Sequence, residues 1–209
     1  MKKNLFLVCL FMFGTLASCQ CSSKKSADNA VVNTTETPVP LGDPFILLHD
    51  GVYYAYGTHS NKGIEFYTSD DLLTWKYGGL ALNKEDSWAD RWFWAPEIYF
   101  VNGKFYMYYS ADEHICVAVA DSPTGPFVQD KKEPMIADEK CIDNSLFIDD
   151  NGTPYLSFVR FNDGNNIWIA ELEKDLITIK KETMHPCLHV TQEWEKVWPR
   201  AVSYTHLRA

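Results

Sequence analysis

The sequence predicts an all-β fold, a β-propeller, and three observations predict it. The segment Asp43-Pro-Phe-Ile-Leu-Leu-His-Asp-Gly-Val-Tyr-Tyr-Ala-Tyr returns as Ala95-Pro-Glu-Ile-Tyr-Phe-Val-Asn-Gly-Lys-Phe-Tyr-Met-Tyr and, more loosely, as Asp143-Asn-Ser-Leu-Phe-Ile-Asp-Asp-Asn-Gly-Thr-Pro-Tyr-Leu. The turn glycines Gly51, Gly103 and Gly152 stand 52 and 49 residues apart, and Trp75, Phe127 and Ile179 close each unit at a similar spacing. Between these landmarks the apolar residues alternate or run in short stretches, with no helical periodicity. A repeat of about 50 residues built from short strands is the mark of a propeller blade.

The chain opens with Lys2 and Lys3 ahead of an apolar run over 5–13, too short to cross a bilayer as a permanent helix. The run ends in Leu16-Ala17-Ser18-Cys19, which matches a bacterial lipobox. Residues 1–19 therefore read as a signal peptide whose cleavage leaves Cys19 to carry lipid, and export follows even if the segment is an ordinary secretory signal. Residues 20–40 are rich in Ser, Lys, Asn, Thr and Pro. Such composition buries too little apolar surface to offset its ordering entropy and predicts a flexible linker.

The folded part is expected over 41–209, with 201–209 set apart as a tail of foreign character. Each repeat predicts four antiparallel strands. Inner strands are expected over 45–49, 98–101 and 146–149, each followed by a turn of Asp-Gly or Asn-Gly type. Those dipeptides favour two-residue hairpins because both central residues take positive φ. Aromatic second strands follow over 52–58, 104–111 and 154–161, and third strands over 64–69, 115–121 and 167–173. Short outer strands are expected near Trp75, Phe127 and Ile179. Residues beyond about 185 read as the entry to a fourth unit. About three blades are thus present, fewer than close a propeller ring.

The net charge of −9, from 28 acidic against 19 basic side chains, argues against nucleic acid as a partner. Cys116 and Cys141 fall in strands and read as buried thiols, with one disulfide as the alternative in an exported protein. No Cys/His spacing of a zinc site occurs.

The repeat makes Asp43 and Asp143 equivalent positions, each near the start of an inner strand. Inner strands of a propeller run the same way, so their starts gather at one mouth of the central channel. Paired carboxylates facing a cavity are the equipment of glycoside hydrolysis; alternatively each aspartate caps a turn before its strand.

Gly42-Asp43-Pro44, Tyr54-Ala-Tyr-Gly-Thr58, Ser69-Asp-Asp-Leu-Leu-Thr-Trp75, Trp94-Ala-Pro-Glu-Ile98 and Ile142-Asp-Asn-Ser-Leu-Phe-Ile-Asp-Asp150 occur in this order and resemble glycoside hydrolase family 43. The resemblance spans about 41–198. It implies a propeller of five blades when complete, and hydrolysis of arabinosides or xylosides in plant polysaccharides with inversion. By position, Asp43 matches the general base and Asp143 the aspartate that tunes and orients the general acid. Asn144 stands where the family often has proline. Trp94 matches an aromatic of the sugar pocket, and His59 and Arg160 are candidates to face it. Glu97 is expected to orient neighbouring loops. The family's general acid is a glutamate in a Glu-Gly-Pro setting opening the fourth blade. Here Glu193 and Glu195 come too early, no glutamate follows them, and 202–209 depart from the family pattern. The expectation is a chain cut off near Arg200, lacking the acid and inactive alone, with a non-catalytic carbohydrate-binding propeller as the alternative. No cofactor is expected; the resemblance allows a structural cation in the channel, which these residues do not place. The expected partners are an oligo- or polysaccharide and, through the Cys19 lipid only, the membrane of a bacterial envelope.

Overall fold

The computed structural model describes residues 39–162, 164–192 and 194. The signal segment with Cys19, nearly all of the linker, Glu193, Glu195 and the tail 201–209 lie outside these residues. The described chain forms three antiparallel sheets in sequence order. The first blade is β1 (Gly42–His49), β2 (Val52–Thr58), β3 (Gly63–Ser69) and β4 (Lys76–Asn83). The second is β5 (Trp94–Val101), β6 (Lys104–Ala111) and β7 (His114–Ala120). The third is β8 (Cys141–Ile148), β9 (Pro154–Phe161), β10 (Asn165–Glu171) and β11 (His185–Leu188). First strands neighbour one another, β1 beside β5 and β5 beside β8, and each second strand packs on the next blade's first strand. These are blades of a propeller.

The three second strands coincide with the sequence expectation, and two of the hairpins behave as their dipeptides require. Asp50-Gly51 has φ of 49° and 79°, and Asn102-Gly103 has φ of 50° and 80°. The third turn differs. It spans 149–153, and only Gly152 takes positive φ, at 85°. Backbone bonds from Gly152 N to Asp149 O and from Asp149 N to Thr153 O close a longer loop than an I′ turn, and Asp149 Oδ1 caps it by accepting the amides of Asn151 and Thr153.

Two outer strands depart from expectation. Near Phe127 there is no strand, only two isolated bridges, Val128 to Val119 of its own blade and Phe127 to Leu82 of the first. Pro126 has no amide to give a ladder, and Phe127 donates its own amide to Ala81 O of the first blade at 2.8 Å. Its ring is wholly buried between the first two blades, so burial across the seam draws this segment away from its own sheet. In the third blade Ile179 bridges only Leu172, and the outer strand is β11. Residues 185–188 thus finish the third blade instead of opening a fourth unit.

The loop before the outer strand repeats in detail. Asp71-Leu-Leu-Thr74 and Asp175-Leu-Ile-Thr178 each place Leu at positive φ, 64° at Leu72 and 61° at Leu176. The Oδ1 of Asp71 accepts the amides of Leu73 and Thr74, and that of Asp175 those of Ile177 and Thr178. These bonds hold the Asp71 carboxyl below the usual range. At Asp175 burial pulls the other way, yet the Thr178 and Ile177 amides and the Thr178 hydroxyl outweigh it and lower the pKa.

Two apolar cores fill the seams. Tyr56, Ile64, Leu82, Phe93, Met107 and Phe127 pack between the first two blades. Ile115, Ile136, Leu146, Leu156, Phe158 and Ile179 pack between the second and third. Cys116 and Cys141 are buried free thiols, and Cys187 is an exposed one. Burial pushes the Cys116 and Cys141 thiols up to about 12, so neither is a nucleophile at neutral pH.

Candidate active site

Each inner strand carries the same irregularity near its start. The register shifts between Gly42 and Phe45, between Trp94 and Glu97, and between Ile142 and Ser145, so two residues face one on the second strand. The bulged pairs are Asp43-Pro44, Ala95-Pro96 and Asp143-Asn144. The first residue of each pair takes positive φ: 44° at Asp43, 42° at Ala95 and 57° at Asp143. Aspartate tolerates this region better than alanine does, and a non-glycine residue there costs of order 1–3 kcal/mol. Three blades holding the same strained backbone at one mouth mark it as the place where side chains are aimed.

Glycine makes the first bulge fit. A Cβ on Gly57 would lie 2.5 Å from Gly42 O and 2.8 Å from Leu41 Cβ, so only a bare backbone lets β1 come this close to β2.

Hydroxyls at the ends of the second strands tie the bulges together. Thr58 Oγ1 donates to Asp43 Oδ2 at 3.1 Å and accepts the Ala95 amide at 2.9 Å. Ser110, at the same place in the second blade, pairs with Trp94 in register and accepts the Asp143 amide at 2.9 Å. A continuous path therefore runs from Asp43 through Thr58, Ala95, Trp94 and Ser110 to Asp143. Asp43 is exposed and Asp143 half-buried. The next residue, Asn144, is buried and donates from Nδ2 to Cys116 O at 3.0 Å, while its Oδ1 has no partner among the described residues. Both residues of the third bulge are thus pinned to the second blade.

Trp94 stacks on Trp92, with ring centroids 5.8 Å apart and planes 11° from parallel. Trp92 is exposed, takes φ of 57°, and carries the Arg91 guanidinium 4.3 Å over its ring. Arg91 is held in turn by Asp112 at 2.8 Å. Trp92 escaped the sequence reading, although its alternation with Trp94 on an aromatic strand entry was the available signal.

The remaining candidates are engaged inside their own blades. His59 Nδ1 lies 2.6 Å from Glu65 Oε2 on the exposed end of the first blade. Arg160 makes two bonds to Glu139 Oε2, at 2.7 and 2.9 Å, and lies 4.0 Å over Trp168. Glu97 accepts the Tyr99 hydroxyl at 2.5 Å, and that hydroxyl also meets Ser145 Oγ at 3.1 Å, which links the second and third inner strands. Among the described residues no group of three or more His, Cys, Asp or Glu side chains could hold a metal ion. No described helix is long and apolar enough to cross a membrane. A cavity of about 360 Å³ lies elsewhere, lined by Val117, Val119, Met135, Asp175 and Ile177, and includes neither bulge aspartate.

Carboxylates stand on strained bulges of two inner strands of a β-propeller, and the comparisons place this chain in a family. Residues 35–204 match the sequence model of Glycosyl hydrolases family 43, and the chain belongs to that family. It is 37% identical to Xylosidase/arabinosidase 43A of Humicola insolens, over 65% of this chain and 50% of that protein. It is 28% identical to Arabinan endo-1,5-alpha-L-arabinosidase B of Emericella nidulans, over 78% of this chain and 46% of that one. Among solved structures, an Endo-1,4-beta-xylanase from Bacteroides thetaiotaomicron aligns with a TM-score of 0.72 and 49% identity, over 76% of this chain and 56% of the other. The chain spans about half the length of the curated relatives it matches.

Proposed function

We propose that this chain supplies the base and the orienting carboxylate of an inverting glycoside hydrolase acting on arabinose- or xylose-containing polysaccharides. The observation that carries the reading is the pair of aspartates on equivalent strained bulges, in a member of family 43. The relatives' names, xylosidase, arabinosidase and xylanase, support the substrate class. Asp43 takes a proton from water as that water attacks the anomeric carbon, and the exposure of its carboxylate leaves room for water to reach it. Asp143 orients the proton donor and tunes it by its charge. The donor itself is assigned to a glutamate outside residues 1–209. In inverting enzymes base and acid stand about 6.5–9.5 Å apart, which leaves space for the attacking water. Trp94, backed by Trp92, offers a ring face for a sugar. His59 and Arg160 stand at the ends of β2 and β9 and reach sugar hydroxyls only with the hydrogen-bonding capacity that Glu65 and Glu139 leave unused. Export with a lipid at Cys19 places the activity on the cell envelope.

The test is hydrolysis of an aryl arabinofuranoside or aryl xyloside by a chain extended through the residues that carry the donor, with the 209-residue chain as the inactive control. Asp43→Asn is expected to lower kcat by about 10²–10⁴-fold on every substrate, the span that acid–base groups contribute. Near-normal turnover by Asp43→Asn would overturn the reading. Saccharide binding without turnover by the extended wild type would favour the carbohydrate-binding propeller instead. Anchoring is tested separately: Cys19→Ala should move the protein from the membrane fraction to the soluble one.

A further inference from the structure

We propose that Thr58 is the positioning residue of Asp43: it occupies Oδ2, so that Oδ1 is the oxygen presented to the attacking water. The inference rests on the reading of Asp43 as the base.

The polarity of the contact is fixed from both ends. A hydroxyl has one proton and two lone pairs. The Ala95 amide can only donate, so at 2.9 Å it uses a lone pair of Thr58 Oγ1. The single Thr58 proton is left for its other neighbour, Asp43 Oδ2 at 3.1 Å, which as an ionised carboxylate can only accept. This is the hydrogen bond the Asp43 side chain makes among the described residues, so one oxygen is held and the other stays open. The adjoining Pro44 stiffens the backbone on the far side of the same residue.

The repeat supplies an internal control. Ser110 stands where Thr58 does, but the residue it would reach in its own blade is Ala95, which has no carboxylate. Val159 stands there in the third blade, beside Asp143, and has no hydroxyl. The union of hydroxyl and carboxylate thus occurs at the first blade, where the base is needed. The strained φ of 42° at Ala95 turns the amide of the second blade toward Thr58. The orientation of the base in one blade is therefore set by the backbone of the next.

Thr58→Val removes the hydroxyl at nearly constant volume, and Thr58→Ser keeps it. The first measurement is the carbon-13 resonance of the Asp43 carboxyl in light and heavy water, on the 209-residue chain. A deuterium isotope shift transmitted from the Thr58 hydroxyl is expected in the wild type and in Thr58→Ser, and its loss is expected in Thr58→Val. The second is kinetics in the extended chain. Thr58→Val should lower kcat about 10-fold or more with KM within about twofold, as expected when a reacting group is misaligned but binding is kept. Thr58→Ser should recover kcat to within about threefold. An isotope shift absent from the wild type, or persisting in Thr58→Val, overturns the contact. An unchanged kcat in Thr58→Val overturns the positioning role. A wild type without turnover defeats the reading of Asp43 as a base, while the isotope shift still decides whether Thr58 holds it.

Discussion

The seam between the first and second blades and the seam between the second and third are built with the same two latches, put to different ends. In each, a tyrosine of the second strand reaches the outer loop of the next blade. Tyr56 donates to Pro123 O at 2.5 Å, and Tyr108 to Leu176 O at 2.7 Å. Two residues on, a hydroxyl accepts the amide of the next blade's bulge, at Ala95 and Asp143 respectively. In the first seam the hydroxyl also grips the Asp43 carboxylate; in the second it grips the backbone of Asp143 and leaves that side chain to other partners. On the proposed reading, Asp43 as base must hold one oxygen toward water, whereas Asp143, acting by its charge, needs its backbone fixed. One repeated device meets both needs because the residue in front of it differs.

The largest effect expected from breaking the seams is at their wedges. Phe127→Ala should cost about 3–5 kcal/mol of stability, more than Ile179→Ala, as read by denaturant unfolding. Phe127 is wholly buried and its amide also bonds the first blade, whereas Ile179 packs in its seam but has its backbone bridge only to Leu172 of its own blade. An equal loss at both would show that the two seams are energetically alike. Ser110→Ala should cost about 1–3 kcal/mol, because a half-buried Asp143 amide loses its acceptor. Tyr56→Phe and Tyr108→Phe should each cost about 1 kcal/mol and match one another closely, since each removes one hydrogen bond to a carbonyl. A large inequality would break the equivalence of the phenol latches.

The smallest effect is acid sensitivity. Asp175 has a lowered folded pKa, so its contribution to stability is full above the unfolded value of about 3.9 and is lost as pH falls through the lower folded value. Asp175→Asn should therefore flatten the decline of Tm between about pH 5 and pH 3. An unaltered pH profile would remove this loop from the account of the second seam.

How much of this was legible follows from the physical range of each signal. The Asp-Gly and Asn-Gly turns and the aromatic second strands are local matters of backbone sterics and alternation, and they stand where the sequence placed them. The turn at Gly152 was not legible as a five-residue loop, because the dipeptide alone does not show that the Asp149 carboxylate caps two amides of a longer backbone-closed turn. Phe127 was legible as a landmark of the repeat, but a landmark does not say which sheet will bury it. The aspartates could be found by periodicity alone. Thr58 and Ser110 were also periodic, at the ends of Tyr-Gly-Thr and Tyr-Tyr-Ser, yet nothing in one strand announces a partner in the next blade.

The sequence by itself determined the propeller class, the number of blades present, the hairpin between first and second strands, and the equivalence of Asp43 with Asp143. All of these follow from short-range propensity repeated at a fixed period. Only the tertiary structure decided the strained bulges, the loss of an outer strand to the first seam, the placement of β11, and the hydroxyl that holds Asp43. Each of those depends on groups from two blades or two strands meeting at hydrogen-bond or van der Waals distance. Such contacts are set by how whole sheets pack, and sheet packing is fixed by burial summed over both faces of a seam, which no local pattern encodes.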